Sequence, residues 1–290
     1  MVSSRSYTER NPTFTPLPYG LLDSVEVITD TDKEWRNGIE FQPDICEDAL
    51  TIQVVCVTGD GATKAASATD IPVRGAETFA VYAYIPCSPV GWGDNLERYQ
   101  QMVRTALENG RSRGVERLFW TGTADDASIY NPHLAEDAAV VDGEVILQTA
   151  ATVVTGGDVT DSVSALEGAM ADCYGGVPTI HVPREALAPM AEKTQIVERG
   201  GKLYTMGGSL VVAGAGYAGT SPAGAAPAAG SAWFYATGSV LVRQSEVMFF
   251  DPIPRNSVDK EKNTVIMVAE QFFSVAWDCC HFGALTTLTN

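Results

Sequence analysis

The chain has 290 residues and a formal net charge of −17, with 45% hydrophobic and 19% charged residues. This composition excludes a disordered chain, and the length predicts about two domains. The acidic balance opposes nonspecific binding to nucleic acid or anionic membranes, because such binding needs cationic side chains. No apolar run reaches the roughly 18 residues that a membrane span requires.

The six cysteines are scattered without C-x-x-C spacing, and no secretory leader precedes them. We therefore predict reduced, buried thiols in a soluble protein that is made in a reducing cytoplasm. The cysteines are Cys46, Cys56, Cys87, Cys173, Cys279 and Cys280.

Residues 1–20 are polar and carry three prolines between positions 12 and 18. Proline lacks the backbone N–H and biases its predecessor toward extended geometry, so this stretch predicts an extended arm. Phe14, Leu17 and Tyr19 favour an arm that lies on another surface, such as that of a second chain.

Two β-rich stretches, 51–57 and 78–87, flank a segment of small and polar residues. A structureless loop of about twenty residues is uncommon inside a compact domain, so residues 58–78 predict a two-stranded finger that projects from the body. A disordered surface loop is the alternative. A finger exposes strand edges unless a neighbour covers them, which predicts an oligomer.

The longest helical pattern covers residues 94–114, where apolar residues recur every three or four positions. Asp94 and Glu97 have the spacing of a capping box, and Gly114 is the expected C-terminal stop. The apolar stretch 116–120 then predicts a short strand or turn. The arginines in and after this helix are expected on its solvated face: Arg98, Arg104, Arg111, Arg113 and Arg117.

The second half of the chain alternates helix and strand patterns. Residues 138–147 predict a hairpin, because Asp142-Gly143 supplies the positive φ angles of a tight turn. Asp161 is the expected cap of a helix through position 173, and 177–182 predict a buried strand followed by a short helix. Further strands are predicted over 210–213, 232–236, 240–243, 247–250 and 264–277.

Gly214, Gly216 and Gly219 have the G-x-G-x-x-G spacing of dinucleotide-binding loops and follow a predicted strand. That motif requires a helix after the last glycine and an acidic residue about twenty positions further on. Here Pro222 and Pro227 oppose such a helix, and the acidic residue is missing. A nucleotide-dependent oxidoreductase is therefore an alternative function, and a glycine-rich surface loop is the favoured interpretation.

The remaining candidate residues have plain structural explanations. His133 lies in a predicted loop and His181 in a strand, whereas His281 follows two adjacent cysteines whose side chains alternate between faces. Asp125 and Asp126 form a pair with too few oxygens for calcium. We predict no catalytic residue, no cofactor-binding residue and no metal site.

The order of these elements resembles that of the major capsid proteins of tailed bacteriophages, which have the Hong Kong 97-type capsid fold. The resemblance extends over nearly the full chain, and it rests on the order of the elements and on the general character of their sequences. It implies an α+β phage capsid fold with an N-terminal arm, an extended β-hairpin loop, a peripheral domain with a long spine helix, and an axial α/β domain. The stretches that carry it are LERYQQMVRTALENGRSRGVERLFWTG, LEGAMADCYGGVPTIHVPREAL, GKLYTMGGSLVVAGAGYAG and NTVIMVAEQFFSVAWDCCHFGAL.

The resemblance also implies a division of the chain into domains. The expected parts are the arm 1–24; the extended hairpin 50–87; the peripheral domain 25–49, 88–137 and 255–280 with its spine helix 94–114; and the axial domain 138–254, joined by 281–290.

The implied function is self-assembly into pentamers and hexamers of an icosahedral head that encloses double-stranded DNA, without enzymatic activity. The expected location is the virion capsid after synthesis in the host bacterial cytoplasm. Expected partners are further copies of the chain and a portal, with a separate scaffolding protein and decoration proteins as options; the DNA is contacted weakly and no membrane is bound. An encapsulin-like nanocompartment shell, which encloses a cargo enzyme in place of DNA, is the alternative within this fold.

Overall fold

The computed structural model describes residues 14–31, 34–42, 73–87, 96–122, 133–143, 145–250, 258–259, 264–278 and 280–289. The α-helices of these segments are α1 Leu21–Ser24, α2 Leu96–Thr121, α3 Val159–Cys173 and α4 Leu187–Glu192. Their strands are β1 Glu26–Thr29, β2 Ile39–Phe41, β3 Val73–Ala76, β4 Phe79–Cys87, β5 Val140–Asp142, β6 Val145–Gln148, β7 Thr152–Val154, β8 Thr179–Pro183, β9 Ile196–Arg199, β10 Lys202–Thr205, β11 Leu210–Gly214, β12 Ser231–Thr237, β13 Val240–Gln244, β14 Met248–Phe250, β15 Val258–Asp259, β16 Thr264–Trp277 and β17 His281–Thr287.

A seven-stranded sheet has the order β7-β17-β12-β8-β11-β10-β9. Its central strand β8 is buried at every position; it runs parallel to β11 and antiparallel to β12. The apolar side of α3 packs on this sheet, with Leu166 and Met170 in the same core as Ile180 and Phe234. The strands predicted over 177–182, 210–213 and 232–236 are confirmed.

The N-terminus of α3 differs from the prediction. Asp158, not Asp161, is the cap, and its Oδ1 accepts hydrogen bonds from the amides of Thr160 at 2.8 Å and Asp161 at 3.0 Å. Acidic residues are favoured both at the cap and in the first turn, where they meet the positive end of the helix dipole. Sequence alone therefore does not tell these two aspartates apart.

A six-stranded sheet is built on β16, which is 14 residues long. β4 pairs antiparallel along one edge of β16, while β13, β14 and β15 pair with successive parts of β16. β1 extends the sheet by pairing parallel to β13. The strands predicted over 78–87, 240–243, 247–250 and 264–277 are confirmed as β4, β13, β14 and β16.

The long helix α2 packs across this sheet and continues beyond its predicted end. It ends at Thr121, so the strand or turn predicted over 116–120 is wrong. Gly114 lies inside the helix and not at its end, next to Val81, where an added Cβ would come within 3.1 Å of Cγ1. The residues that follow it are held in the helix by burial, with Val115 and Phe119 at 0% exposure. The predicted cap Asp94 lies outside the described residues, and no helix within the described part has the length and apolar content to cross a bilayer.

A four-stranded sheet has the order β2-β3-β6-β5. Its β5–β6 hairpin turns at Gly143, where φ is 61°, which confirms the hairpin predicted over 138–147. The strand predicted over 51–57 and residues 58–72 of the predicted finger lie outside the described part of the chain. β3 pairs with β2 and β6, which connects this end of the finger segment to the body.

Candidate functional site

The glycine-rich loop 214–219 packs directly against helix α2. An added Cβ on Gly216 would lie 2.3 Å from the carbonyl oxygen of Arg113 and 2.7 Å from the amide nitrogen of Arg117, so the approach requires glycine. Residues 220–230 after the loop form turns and extended chain, not a helix. The helix N-terminus on which a dinucleotide-binding loop relies is therefore missing from this described segment.

Glu116 of α2 occupies the space in front of this loop. Its Oε2 accepts a hydrogen bond from the amide of Gly216 at 2.9 Å, and its Oε1 accepts from the amide of Leu21 at 3.0 Å and from Oγ of Ser112 at 3.2 Å. The residue is 1% exposed, and this burial raises the pKa of its carboxyl group, although the hydrogen bonds act in the opposite direction. Because the Gly216 amide is bonded to this carboxylate, it is not available for a pyrophosphate.

Glu116 therefore joins three separate parts of the chain: helix α2, the glycine-rich loop and the first turn of α1. The sequence contains a signal for this role, since Glu116 is the one acidic residue in the apolar run 115–120. A buried acid is stable only with hydrogen-bond partners, so its position indicates a binding network. The loop geometry gives no support to the oxidoreductase alternative.

The arm enters the body at Tyr19, which has a positive φ of 68°. The Tyr19 carbonyl oxygen accepts a hydrogen bond from the amide of Ala213 at 2.8 Å, and the guanidinium of Arg184 donates to the carbonyl oxygen of Pro18. That guanidinium also lies 5.9 Å from the centre of the Tyr19 ring. These contacts attach the described end of the arm to the seven-stranded sheet.

Two histidines are buried in the aromatic core between the sheets. Nδ1 of His181 lies 3.1 Å from the Tyr217 hydroxyl, and its Nε2 lies 3.0 Å from Oγ1 of Thr237. Burial lowers the pKa of His181 to about 3 and that of His281 to about 4, so both rings are neutral at pH 7. The ring of Phe119 packs edge-on against His181 at 5.4 Å. These contacts give His181 a structural role, and the ring of His281 packs in the same core against Tyr235 and Trp277 at 5.7 and 5.3 Å.

The third histidine, His133, pairs with Glu136 at 3.3 Å. Within the described segments, no group of three or more His, Cys, Asp or Glu residues is placed to hold a metal ion. Asp125 and Asp126 lie outside these segments.

The prediction of reduced thiols is wrong for one pair, because Cys173 and Cys280 form a disulfide. It links the last residue of α3 to the residue before β17, across 107 positions of sequence. Scattered cysteines do not reveal their pairing in sequence, since only the fold brings the sulfur atoms together. Cys46, Cys56 and Cys279 lie outside the described residues.

Several large apolar side chains remain exposed on the described surface. Tyr82 and Tyr84 are 56% and 62% exposed on the face of β4 that points away from α2. Phe14 and Leu17 of the arm are 51% and 54% exposed and border a groove of about 550 Å³ between the arm and α2. Met102 on the outer side of α2 is 47% exposed. These side chains lie at three separate places on the described surface.

Solved structures of viral and virus-like shells have the same fold. The chain matches the capsid of an empty GTA particle computed with C5 symmetry, with a TM-score of 0.60 and 12% identity over 99% of this chain and 96% of that chain. It matches a structure of Mycobacterium phage Adephagia with a TM-score of 0.54 and 15% identity, over 99% and 96% of the two chains. A structure of Gordonia phage Cozz gives a TM-score of 0.53 and 11% identity, over 100% and 92%.

No protein-family model matches the sequence, and no curated protein matches it significantly. The evidence for the fold therefore comes from three-dimensional structure, and it covers both the sheets and the long helix. The chain has the phage capsid fold.

Proposed function

We propose that this chain is a major capsid protein that self-assembles into pentamers and hexamers of an icosahedral phage head around double-stranded DNA. The observation that carries the proposal is the likeness to the GTA capsid over 99% of this chain and 96% of the other. The role we propose is structural, without enzymatic activity.

The domain assignment belongs to the same proposal. The arm is 1–24, the extended hairpin is 50–87, the peripheral domain is 25–49, 88–137 and 255–280, and the axial domain is 138–254 with 281–290. The pairing of β13 and β14 with β16 supports one change, which moves residues 240–250 into the peripheral domain. The pairing of β17 with β12 supports the return of 281–290 to the axial domain.

The exposed apolar side chains supply surfaces for contacts between copies. Tyr82 and Tyr84 project from one face of β4 next to the finger segment, while Phe14 and Leu17 project from the arm. Burial of each large apolar side chain contributes roughly 1.5–3 kcal/mol, so an assembly with many such contacts gains affinity by repetition. The charge of −17 limits the contact with packaged DNA to weak interactions.

Further partners follow from the same role. We propose a portal at one vertex, with a separate scaffolding protein and decoration proteins as additional partners, and no membrane contact. Synthesis takes place in the bacterial cytoplasm and the mature location is the virion capsid.

The test is the size and shape of the purified full-length protein, produced alone and together with the products of adjacent virion genes. Sedimentation velocity and negative-stain imaging are expected to show closed shells or five- and six-membered rings. Shells that contain DNA support a phage head, whereas shells that contain a cargo enzyme support the encapsulin-like alternative. A stable monomer or dimer under every condition contradicts the proposal.

A matched pair of variants tests the β4 surface. Tyr82→Ser with Tyr84→Ser removes two exposed aromatic rings and is expected to reduce assembly with an unchanged circular dichroism spectrum. Tyr82→Phe with Tyr84→Phe keeps the rings and is expected to assemble normally. Equal assembly by both variants would show that this face is not a contact surface.

A further inference from the structure

The two large sheets are connected where the chain crosses from one to the other, at two adjacent points. One crossing is at residues 238–239, between β12 and β13, and the other is between β16 and β17, at Asp278 and Cys280. The amide of Asp278 donates a hydrogen bond to the Ser239 carbonyl oxygen at 2.9 Å. An added Cβ on Gly238 would lie 2.3 Å from the carbonyl oxygen of Asp278, so the crossings are in direct contact. We call the two crossings, residues 238–239 on one side and Asp278 with Cys280 on the other, the crossover pair.

Consecutive residues at the end of α3 hold both members of the crossover pair. The hydroxyl of Tyr174 lies 3.0 Å from Oγ of Ser239 and 3.4 Å from its amide nitrogen. Cys173, one position earlier, is bonded covalently to Cys280. The seven-stranded sheet carries α3 on its surface, so these two contacts hold the points where the chain crosses to the six-stranded sheet, beside the core that the two sheets share.

The two contacts differ in strength and in chemistry. The Tyr174–Ser239 hydrogen bond is solvent-exposed and so contributes little by itself. The disulfide is the stronger contact because it is covalent, and it lies at the surface, since Cys173 is an exposed residue while Cys280 is 7% exposed. A disulfide at an exposed residue is open to exchange with small thiols and small disulfides.

We propose that Cys173 and Cys280 form a reversible oxidation site for a small-molecule disulfide such as oxidised glutathione, and that the oxidised form clamps the crossover pair and fixes the two sheets relative to each other. The Cys173 thiolate attacks one sulfur of the small disulfide, which forms a mixed disulfide and releases one thiol. The Cys280 thiolate then attacks the Cys173 sulfur, which forms the protein disulfide and releases the second thiol. The protein loses two electrons and two protons, and the small disulfide gains them as two thiols. Excess small thiol reverses both steps.

The inference applies to the folded chain and does not depend on capsid assembly. It is tested on the purified full-length protein, equilibrated with either oxidised or reduced glutathione. Alkylation and peptide mapping are expected to find a peptide that links positions 173 and 280 in the first sample and two alkylated cysteines in the second. The closure of a loop of this length is expected to raise Tm by about 10 °C in the oxidised sample. Free thiols at both positions under oxidising conditions would overturn the proposal.

Hydrogen exchange distinguishes a clamp from a general stabilising bond. Reduction is expected to accelerate exchange at the amides of Ser239 and Asp278, while the amides of β8 and β11 keep their protection. Cys173→Ser is expected to behave like the reduced wild type in both buffers, and Cys280→Ser serves in its place if that variant does not fold. Tyr174→Phe is the matched control, which keeps the redox-dependent change in Tm. An equal change across both sheets, or none at Ser239 and Asp278, would refute the clamp.

Discussion

Replacement of Glu116 by alanine tests whether this buried carboxylate joins α2 to the arm and to the glycine-rich loop. The substitution leaves two backbone N–H groups, those of Leu21 and Gly216, without the acceptors that now lie at 3.0 and 2.9 Å. An unpaired buried donor costs roughly 1–3 kcal/mol, and removal of a buried carboxylate recovers part of this cost. We expect Glu116→Ala to lower the free energy of unfolding by about 3 kcal/mol.

Urea denaturation at pH 7 measures this change, and hydrogen exchange at Leu21 and Gly216 locates it. The matched control is Glu108→Ala, an exposed acid on the same helix, which is expected to change stability by less than about 0.5 kcal/mol. Equal stability of the two variants would show that the three hydrogen bonds to Glu116 do not hold these elements together.

The same residue predicts a dependence on pH. Burial raises the pKa of Glu116 above its usual value of 4.5, so the folded state binds this proton more tightly than the unfolded state. The pH-dependent part of its contribution to stability is full below the unfolded pKa and is lost as the pH rises through the folded pKa, whereas the carboxylate still accepts the hydrogen bonds from the amides of Leu21 and Gly216 at pH 7. Glu116→Gln does not titrate, so the stability difference between wild type and this variant is expected to become smaller as the pH increases. A difference that is constant from pH 5 to pH 8 would contradict the assigned direction.

Three further predictions concern glycines and histidines. Gly216→Ala places a Cβ 2.3 Å from a backbone oxygen, so we expect a loss of about 3 kcal/mol in urea denaturation; unchanged stability would refute the close packing. Gly110→Ala in α2 meets no atom within 4 Å and is expected to stabilise by about 1 kcal/mol, whereas Gly114→Ala in the same helix meets a side chain at 3.1 Å and is expected to lose that gain. His181 and His281 have pKa values lowered to about 3 and about 4, so the unfolded state binds more protons below its own pKa of 6.5. The free energy of unfolding is expected to fall on acidification from pH 6.5 to pH 4 by about 1.4 kcal/mol per pH unit for each histidine. Replacement of His181 by Asn is expected to remove the part of this pH dependence that His181 contributes. An unchanged slope of the free energy of unfolding against pH in that variant would contradict the prediction.

Local patterns were sufficient to predict most strands. The runs that became β4, β8 and β16 are rich in β-branched and aromatic residues, and each lies where that pattern placed it. The Asp-Gly turn before β6 was also predicted, because the positive φ at Gly143 follows from one dipeptide.

Apart from the cap of α3, the failed predictions concern features that depend on distant parts of the chain. The helix α2 continues past Gly114 because Val115 and Phe119 are buried in a core formed with distant strands, contacts that no local pattern reports. The partners of Glu116 come from α1 and from a loop 100 positions away. The Cys173–Cys280 bond likewise requires the fold, since 107 positions separate the two cysteines. The G-x-G-x-x-G spacing alone does not indicate a nucleotide site, because the same glycines also permit close packing on a helix, as Gly216 does against α2.

The pairing of β4 with β16 has a mechanical consequence for the proposed shell. Nine residue pairs, from Phe79↔Phe273 to Cys87↔Val265, join these antiparallel strands. A tension that pulls the two strands along their length in opposite directions loads all the hydrogen bonds between them in shear, so they must break together and not one after another. The segment before β4 is the predicted finger, and a neighbour that pulls on it would apply force along this line. In the shell proposed above, the β4–β16 ladder would carry tension from a neighbouring subunit into the body of this one.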